Sequence, residues 1–542
     1  MGIPSYFAYI IKNHPDIIKG LDQLKAVDNL YLDSNSIIYD CLRQIGDQYE
    51  GNDSKFERLL LRSITDKLDE YIKEIDPQGV IFIAFDGVAP VAKLEQQRTR
   101  RYKSYLLTHI RASLEKSSDP SWDKTAITPG TKFMDKLGKF VTKHYKKKSR
   151  NISAKKIIVS TSNEAGEGEH KIFGYIRDNV TYHKSSTTLV YGLDADLIML
   201  CLNHLRLCRK IFLYRETPEF VKSIDAALEP DRTYFLDIPA LGDVITYDMS
   251  GSFKSSKRQK KSRLYDYIFL CFFLGNDFLP HFPSVNIRTN GIDIMIGAYR
   301  STIASHGRVL TNGKKIYWNN VRHLVEYLAD NELENLKNEY RIRARWERRH
   351  YPATTIKEQM DKLDHIPTKE RSMEKFIDPF SPYWEKRYYK KLFDMDINKT
   401  FLKAICNNYM EGLEWVMNYY SVGCLDWHWK YRYNYPPLLN DLLNYLPHWD
   451  TTMIRANDNK SVLPLVQLSY VLPRPSLKLL PRGLEKVLLG ELSDRYPLDC
   501  EIVWAFCKYL WEGHTNLPHI TIEELVGIVT ALSPTDNSKL CK

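Results

Sequence analysis

The stretch VIFIAFDGVAPVAKLEQQRTRRYKS (Val80–Ser104) decides the fold. Val80 to Phe85 form an unbroken apolar run of strand length that stops at Asp86. Downstream the period changes: Lys93, Gln97, Arg100 and Arg101 are spaced i, i+4, i+7 and i+8, which puts three cations and an amide on one helical face. A strand, an aspartate and a basic helix thus follow one another in a single unit. Working outward, β-like runs at Leu30–Leu32, Lys156–Ser160, Thr188–Tyr191 and Ile211–Tyr214 alternate with helical stretches such as Phe56–Ile75. This alternation predicts an α/β fold with a mostly parallel sheet flanked by helices.

The same punctuation recurs along the chain. NLYL runs into Asp33, and TLVYGL runs into Asp194 with Asp196 just beyond. In a parallel sheet the carboxyl ends of all strands open on one edge, where ligands bind. One aspartate after a strand is commonly a helix N-cap, but three strand ends of this kind predict a shared cleft. Glu167 and Glu169 in EAGEGEHK join them, with Gly166 and Gly168 permitting a tight strand-to-helix turn, as does Asp277 in FFLGNDFLP. At about 4 Å, unscreened like charges repel by about 4 kcal/mol per pair even at an effective dielectric of about 20. Such a cluster needs cations or raised pKa values. All-oxygen donors with no competing His or Cys group favour Mg²⁺ or Mn²⁺, and two such ions suit phosphodiester hydrolysis. A basic helical face one loop away would grip a terminal phosphate.

Composition sets the frame. The chain has 542 residues, 43% of them hydrophobic, with 77 Lys+Arg against 67 Asp+Glu, a net charge of +10. That length suggests about two to four folding units, and 27% charged residues with 25 Gly and 25 Pro exclude a collagen-like or largely disordered chain. No apolar run approaches a membrane span, and the start MGIPSYFAYI lacks the basic and cleavable features of a secretion signal. Gly2 is no myristoylation site, because Tyr6 stands where that signal wants Ser or Thr. Nine scattered cysteines, never spaced C-x-x-C, imply a reducing compartment without structural zinc. An intracellular location is expected, cytoplasmic or nuclear, and the basic runs at 146–156 and 253–263 read as loops, the second also resembling a nuclear import signal. The aromatics, 35 Tyr, 21 Phe and 10 Trp, suit a polyanion binder that stacks on bases.

With these residues in view, the sequence resembles the Xrn family of 5′-to-3′ exoribonucleases. The matching segments run in family order: MGIPSYFAYI, NLYLDSNSIIYD, FDGVAPVAKLEQQRTRRYKS, EAGEGEHKIFGYIR, YGLDADLIML, FFLGNDFLPHFP, then GLEWVMNYYSVGCLDWHWKYRYNYPPLLNDL and QLSYVLPRPSLKLLP. The resemblance implies a PIN/flap-nuclease-like core with a mixed, largely helical C-terminal conserved segment packed on it. It implies processive removal of 5′-mononucleotides from single-stranded RNA bearing a 5′-monophosphate, by two-metal catalysis. Asp33, Asp86, Glu167, Glu169, Asp194, Asp196 and Asp277 match the family's metal-binding acids, with Asn35 in support. Lys93, Gln97, Arg100 and Arg101 match its 5′-phosphate pocket. Tyr39 stands where much of the family has His, and a phenol ring stacks but carries no imidazolium charge. Trp427 or Trp429 matches the second stacking element; two apart on an extended segment, they would face one way.

The expected organisation is a nuclease core at 1–300, a charged, exposed helical linker at 301–377 and a second conserved segment at 378–542 that completes the active-site pocket. Little follows Leu525, as in a minimal, virus-like catalytic core. A monomer without membrane contact is expected, served by a decapping-type partner. Two rival readings remain. A flap-type DNA nuclease usually carries a Gly-rich helix-hairpin-helix after its last aspartates, whereas FLPHFPSVNIRTNGID follows Asp277 here. An inactive RNA-binding scaffold would not need all seven acids.

Overall fold

A computed structural model describes residues 5–24, 26–115, 121–148, 152–215, 228–229, 232–251 and 257–532, with backbone only over 257–261. Gly2, Cys541 and positions 149–151 and 253–256 of the two basic runs lie outside the described residues; the rest of the runs is not all loop, because Lys146–Lys148 end a helix, Lys156 opens a strand and the second run continues into the helix Lys257–Phe272. Among the described residues the main sheet has seven strands in the order β1-β7-β6-β5-β2-β3-β4. They are β1 (Ile18–Gly20), β2 (Asn29–Asp33), β3 (Val80–Ala84), β4 (Lys156–Ser160), β5 (Thr187–Tyr191), β6 (Lys210–Arg215) and β7 (Tyr234–Asp237). β2 runs parallel to both β3 and β5, and β4 and β6 continue the parallel sheet outward. β7 and β1 close one side antiparallel. The predicted α/β class and all five predicted strands stand; the two antiparallel strands carry no signal in the sequence reading.

Alternation along each strand divides two cores. Leu30, Leu32, Ile81 and Ile83 bury on one face, against the helices Asp53–Ile75 and Lys132–Lys148. Tyr31, Phe82 and Val190 bury on the other. Each fully buried apolar side chain contributes about 1.5–3 kcal/mol, so slipping a strand by one residue would expose a whole set. The chain walks from β2 to β3 to β4 and then returns to place β5 on the other side of β2. That reversal is the crevice-forming switch point of an open parallel sheet.

Six helices position the site: α1 (Asn35–Ile45), α2 (Val91–Glu115), α3 (Gly168–Asp178), α4 (Asp196–His204), α5 (Lys257–Phe272) and α6 (Lys399–Ser421). The C-terminal part grips the start of α2. Val88, Ala89, Val91 and Leu94 pack with Val466, Leu472, Leu484 and Leu525 in one apolar cluster. The Gln467 carboxamide accepts from Ala89 N at 3.1 Å, and Val91 N donates to the carbonyl of Trp427 at 2.9 Å. A short antiparallel pair, β8 (Glu501–Val503) with β9 (His514–Asn516), lies further on.

The charged stretch expected to be exposed is instead packed. In the helix Glu332–Glu347, Arg343 is 0% exposed and donates to both oxygens of the buried Glu374, at 2.9 and 2.7 Å. Phe506 N also donates to Glu374, at 2.9 Å. Long-range pairing lets these charges enter the interior. Among the described residues, no helix is long and apolar enough to cross a membrane.

Candidate active site

Strand ends deliver the first acids. Asp33 is the last residue of β2 and pairs in register with Ala84 of β3, two residues before Asp86. Tyr191 ends β5 on the other side of β2, three residues before the exposed Asp194, and Asp196 opens α4. Glu167 precedes α3 and Glu169 lies in its first turn, where the helix dipole favours negative charge. The turn between β4 and α3 needs its glycines. Gly166 has φ of 101°, and a Cβ on Gly168 would fall 2.6 Å from Asp33 Oδ1. Asp277 is presented by a turn in which Asn276 Oδ1 accepts from Phe278 N and Leu279 N, both at 2.9 Å.

Neighbours orient these groups. Asn35 donates to Asp86 Oδ2 at 2.6 Å and accepts from Asp86 N at 3.1 Å, while Gly168 N donates to Asp86 Oδ1 at 2.7 Å. Lys93 reaches the acids themselves: its Nζ is 2.6 Å from both Glu167 Oε1 and Asp277 Oδ2. Gln96 donates to the other oxygen of Asp277 at 3.2 Å. Tyr419 donates to Glu167 Oε2 at 2.8 Å.

One lysine does not balance this charge. Burial and the carboxylate of Asp86 push Asp33 well up; burial and Glu167 do the same to Glu169 and raise Asp86. Burial and Asp277 bring Asp196 up to about 7. Asp277 goes the other way: burial raises it, but the charge and hydrogen bond of Lys93, together with other cations such as Arg100, hold it well below the usual range. Asp33 Oδ1, Glu169 Oε2 and Asp196 Oδ1 are buried with no hydrogen-bond partner. Unsatisfied buried carboxylate oxygens are costly, and hard divalent cations are the ligands that suit them. The residues present therefore fit such ions.

His170 is the site residue that sequence reasoning missed. Its ring can place a nitrogen within 4.8 Å of carboxylate oxygens of Glu167 and Glu169, and it stacks on Tyr419 at 3.7 Å. A lone histidine beside two glutamates carries no distinguishing spacing, so only the tertiary contact with α6 exposes it.

The basic face runs on from the acids along α2. Gln97 is buried with its Oε1 unpartnered, and Arg101 keeps an unpartnered buried Nε. Burial lowers the Arg101 guanidinium to about 10, with the hydroxyl of Tyr39 opposing the shift. Arg100 is exposed, and Tyr39, on α1, is 38% exposed.

The two tryptophans separate. The segment around them is not extended: the Asp426 carboxylate accepts from His428 N and Trp429 N and turns the chain. Trp429 is buried and stacks on Trp415 at 5.1 Å, and Trp415 stacks on Tyr419 at 4.7 Å. Trp427 stays half-buried at the start of α2.

Comparison with known proteins bears on this arrangement. A family model described as the XRN 5′-3′ exonuclease N-terminus matches residues 1–216, and one described as the Xrn1 helical domain matches 259–378 and 354–538. The chain is 25% identical to 5′-3′ exoribonuclease 2 of Arabidopsis thaliana, across 97% of this chain and 67% of that protein. It is 28% identical to the Drosophila melanogaster homolog of that enzyme, across 97% and 70%. Human 5′-3′ exoribonuclease 1 is 27% identical across 97% of this chain and 34% of its own length.

Proposed function

The chain belongs to the XRN 5′-3′ exonuclease family, and from that premise we propose that it is a 5′-3′ exoribonuclease of RNA decay whose working parts are the acids and cations just described. The observation that carries the mechanism is the meeting of unpartnered carboxylate oxygens with a cationic helix face, joined through Lys93.

Asp33, Asp86, Glu167, Glu169, Asp194, Asp196 and Asp277 would hold two divalent cations, Mg²⁺ or Mn²⁺, which supply Lewis acidity for phosphodiester hydrolysis. Asn35 and Gly168 N keep Asp86 aimed into the cleft. Gln97, Arg100 and Arg101, with Lys93 at their inner end, take the 5′-monophosphate as a doubly charged anion. Tyr39 and Trp427 stack on bases, each contact worth about 1–3 kcal/mol. Trp429 supports from the core.

Water attacks phosphorus between the first two nucleotides. The P–O3′ bond breaks, O3′ leaves with a proton, and the new phosphate stays on the shortened RNA. Each cleavage therefore regenerates the group that the basic face recognises, which is the chemical basis of processive action. In this reading residues 1–300 form the nuclease core, 301–377 a charged helical connection and 378–542 the segment that completes the pocket. The enzyme works as a cytoplasmic monomer and depends on a decapping-type activity to expose 5′-monophosphate ends.

Matched RNAs carrying a 5′-monophosphate, triphosphate, hydroxyl or cap, each with and without divalent ion, test the proposal beside a DNA control. Rapid loss of the monophosphorylated RNA alone, only with metal and with mononucleotide products, is expected. Equal degradation of all four ends, or preference for a branched DNA flap, would overturn it.

A further inference from the structure

Helix α2 has a second flank. Ala92, Gln96, Thr99 and Lys103 recur at helical spacing and wall a cavity of about 590 Å³. Asp277 lines it and Tyr39 and Trp427 do not, so the cavity adjoins the acid cluster without including the stacking residues.

The lining is built for an anion with a flat ring. Gln96 Oε1, Asn276 Nδ2 and His281 Nε2 are buried without partners, and all three residues line the cavity. Burial holds His281 down at about 4, so its ring is neutral. Arg432 adds an exposed guanidinium group, while Tyr433 and Trp511 add aromatic faces. Fixed donors and acceptors, guanidinium forks and aromatic faces are what a nucleotide's ribose, phosphate and base require.

We propose that this cavity binds the released nucleoside 5′-monophosphate, so that product leaves past Asp277 along this second flank of α2, beside the face that takes the incoming RNA. The inference rests on the exonuclease reading. A processive enzyme must discharge each mononucleotide while the polymer stays engaged, and a separate exit meets that need. No base-specific contact is required, because all four products must pass.

The test uses the full chain and fluorescently labelled AMP, with and without a saturating 5′-monophosphorylated RNA whose first linkages are phosphorothioates. AMP is expected to bind with the RNA in place, and UMP to compete with it. Arg432→Glu should weaken AMP binding about tenfold, since it replaces a phosphate-binding charge with a repelling one. The same variant should leave the first cleavage in a single-turnover assay unchanged and slow multiple turnover. Thr99→Trp, which fills the cavity from α2, should weaken AMP binding likewise. Displacement of all bound AMP by the RNA, or equal AMP affinity in Arg432→Glu and the unaltered chain, would overturn the inference while leaving the nuclease reading intact. A chain that binds AMP in the presence of RNA yet never degrades 5′-monophosphorylated RNA would overturn the nuclease reading instead.

Discussion

Two buried clusters of charge in this molecule behave in opposite ways. Around Glu374, the guanidinium groups of Arg343 and Arg371 and the Phe506 amide surround one carboxylate, with contacts of 2.6–2.9 Å, and Glu347 pairs with Arg371 at 3.0 Å to balance the second cation. Around Lys93, six acids crowd one ammonium, and three of their buried oxygens have no partner. The first cluster is neutralised from within and joins segments far apart in the chain. The second is left in deficit, with burial and like charge pushing Asp33, Glu169 and Asp196 upward. Internal balance marks a structural element, and uncompensated charge marks a place meant for cations from outside.

The sharpest way to break this comparison is to change each cluster and ask which property falls. Asp194→Asn with Asp196→Asn should reduce degradation of 5′-monophosphorylated RNA on the order of a thousandfold, measured as the cleavage rate under saturating enzyme. Its melting temperature should hold or rise, because like-charge repulsion is removed. An unchanged rate would remove these acids from the metal site. Arg343→Ala should do the reverse, costing about 3–5 kcal/mol in denaturant unfolding by stranding the buried Glu374. Divalent-ion affinity of the folded fraction should not move, and a variant that lost metal binding but kept its stability would erase the distinction.

Smaller effects sharpen the edges of the cleft. Arg100→Ala with Arg101→Ala should lower the preference for a 5′-monophosphate over a 5′-hydroxyl end by about 10–100-fold, read from competing substrates. Equal preference before and after would show that this face does not bind the terminus. Trp427→Ala should cost about 1–3 kcal/mol of RNA binding and shorten processive runs without altering stability. Product-length distributions identical to those of the unaltered chain would take Trp427 out of the RNA path.

Much of this was legible from local pattern. Strands buried on both faces read as apolar runs, and each of three ended on an acid, so the parallel sheet and the convergence of Asp33, Asp86 and Asp194 could be inferred together. What escaped depends on partners distant in sequence. Arg343 reads as a solvated charge until Glu374 and Phe506 arrive beside it. Trp427 and Trp429 look equivalent until the Asp426 turn sends one into the core. Lys93 reads as the first member of a phosphate-binding face, yet its ammonium lies between Glu167 and Asp277. His170 lies 3.8 Å from Glu169 Oε1 and is held there by its stack on Tyr419. The antiparallel strands Ile18–Gly20 and Tyr234–Asp237 were too short to show a period.

The central claim is that the acid cluster is completed by divalent cations, and titration of the full chain with Mn²⁺, followed by electron paramagnetic resonance, tests it most directly. The account predicts two bound ions per chain, both lost in Asp194→Asn with Asp196→Asn. Their affinity should tighten as pH rises through about 7, because a proton on Asp196 competes with the metal and leaves over that range. An absence of tight binding, or binding that the double substitution leaves untouched, would contradict it.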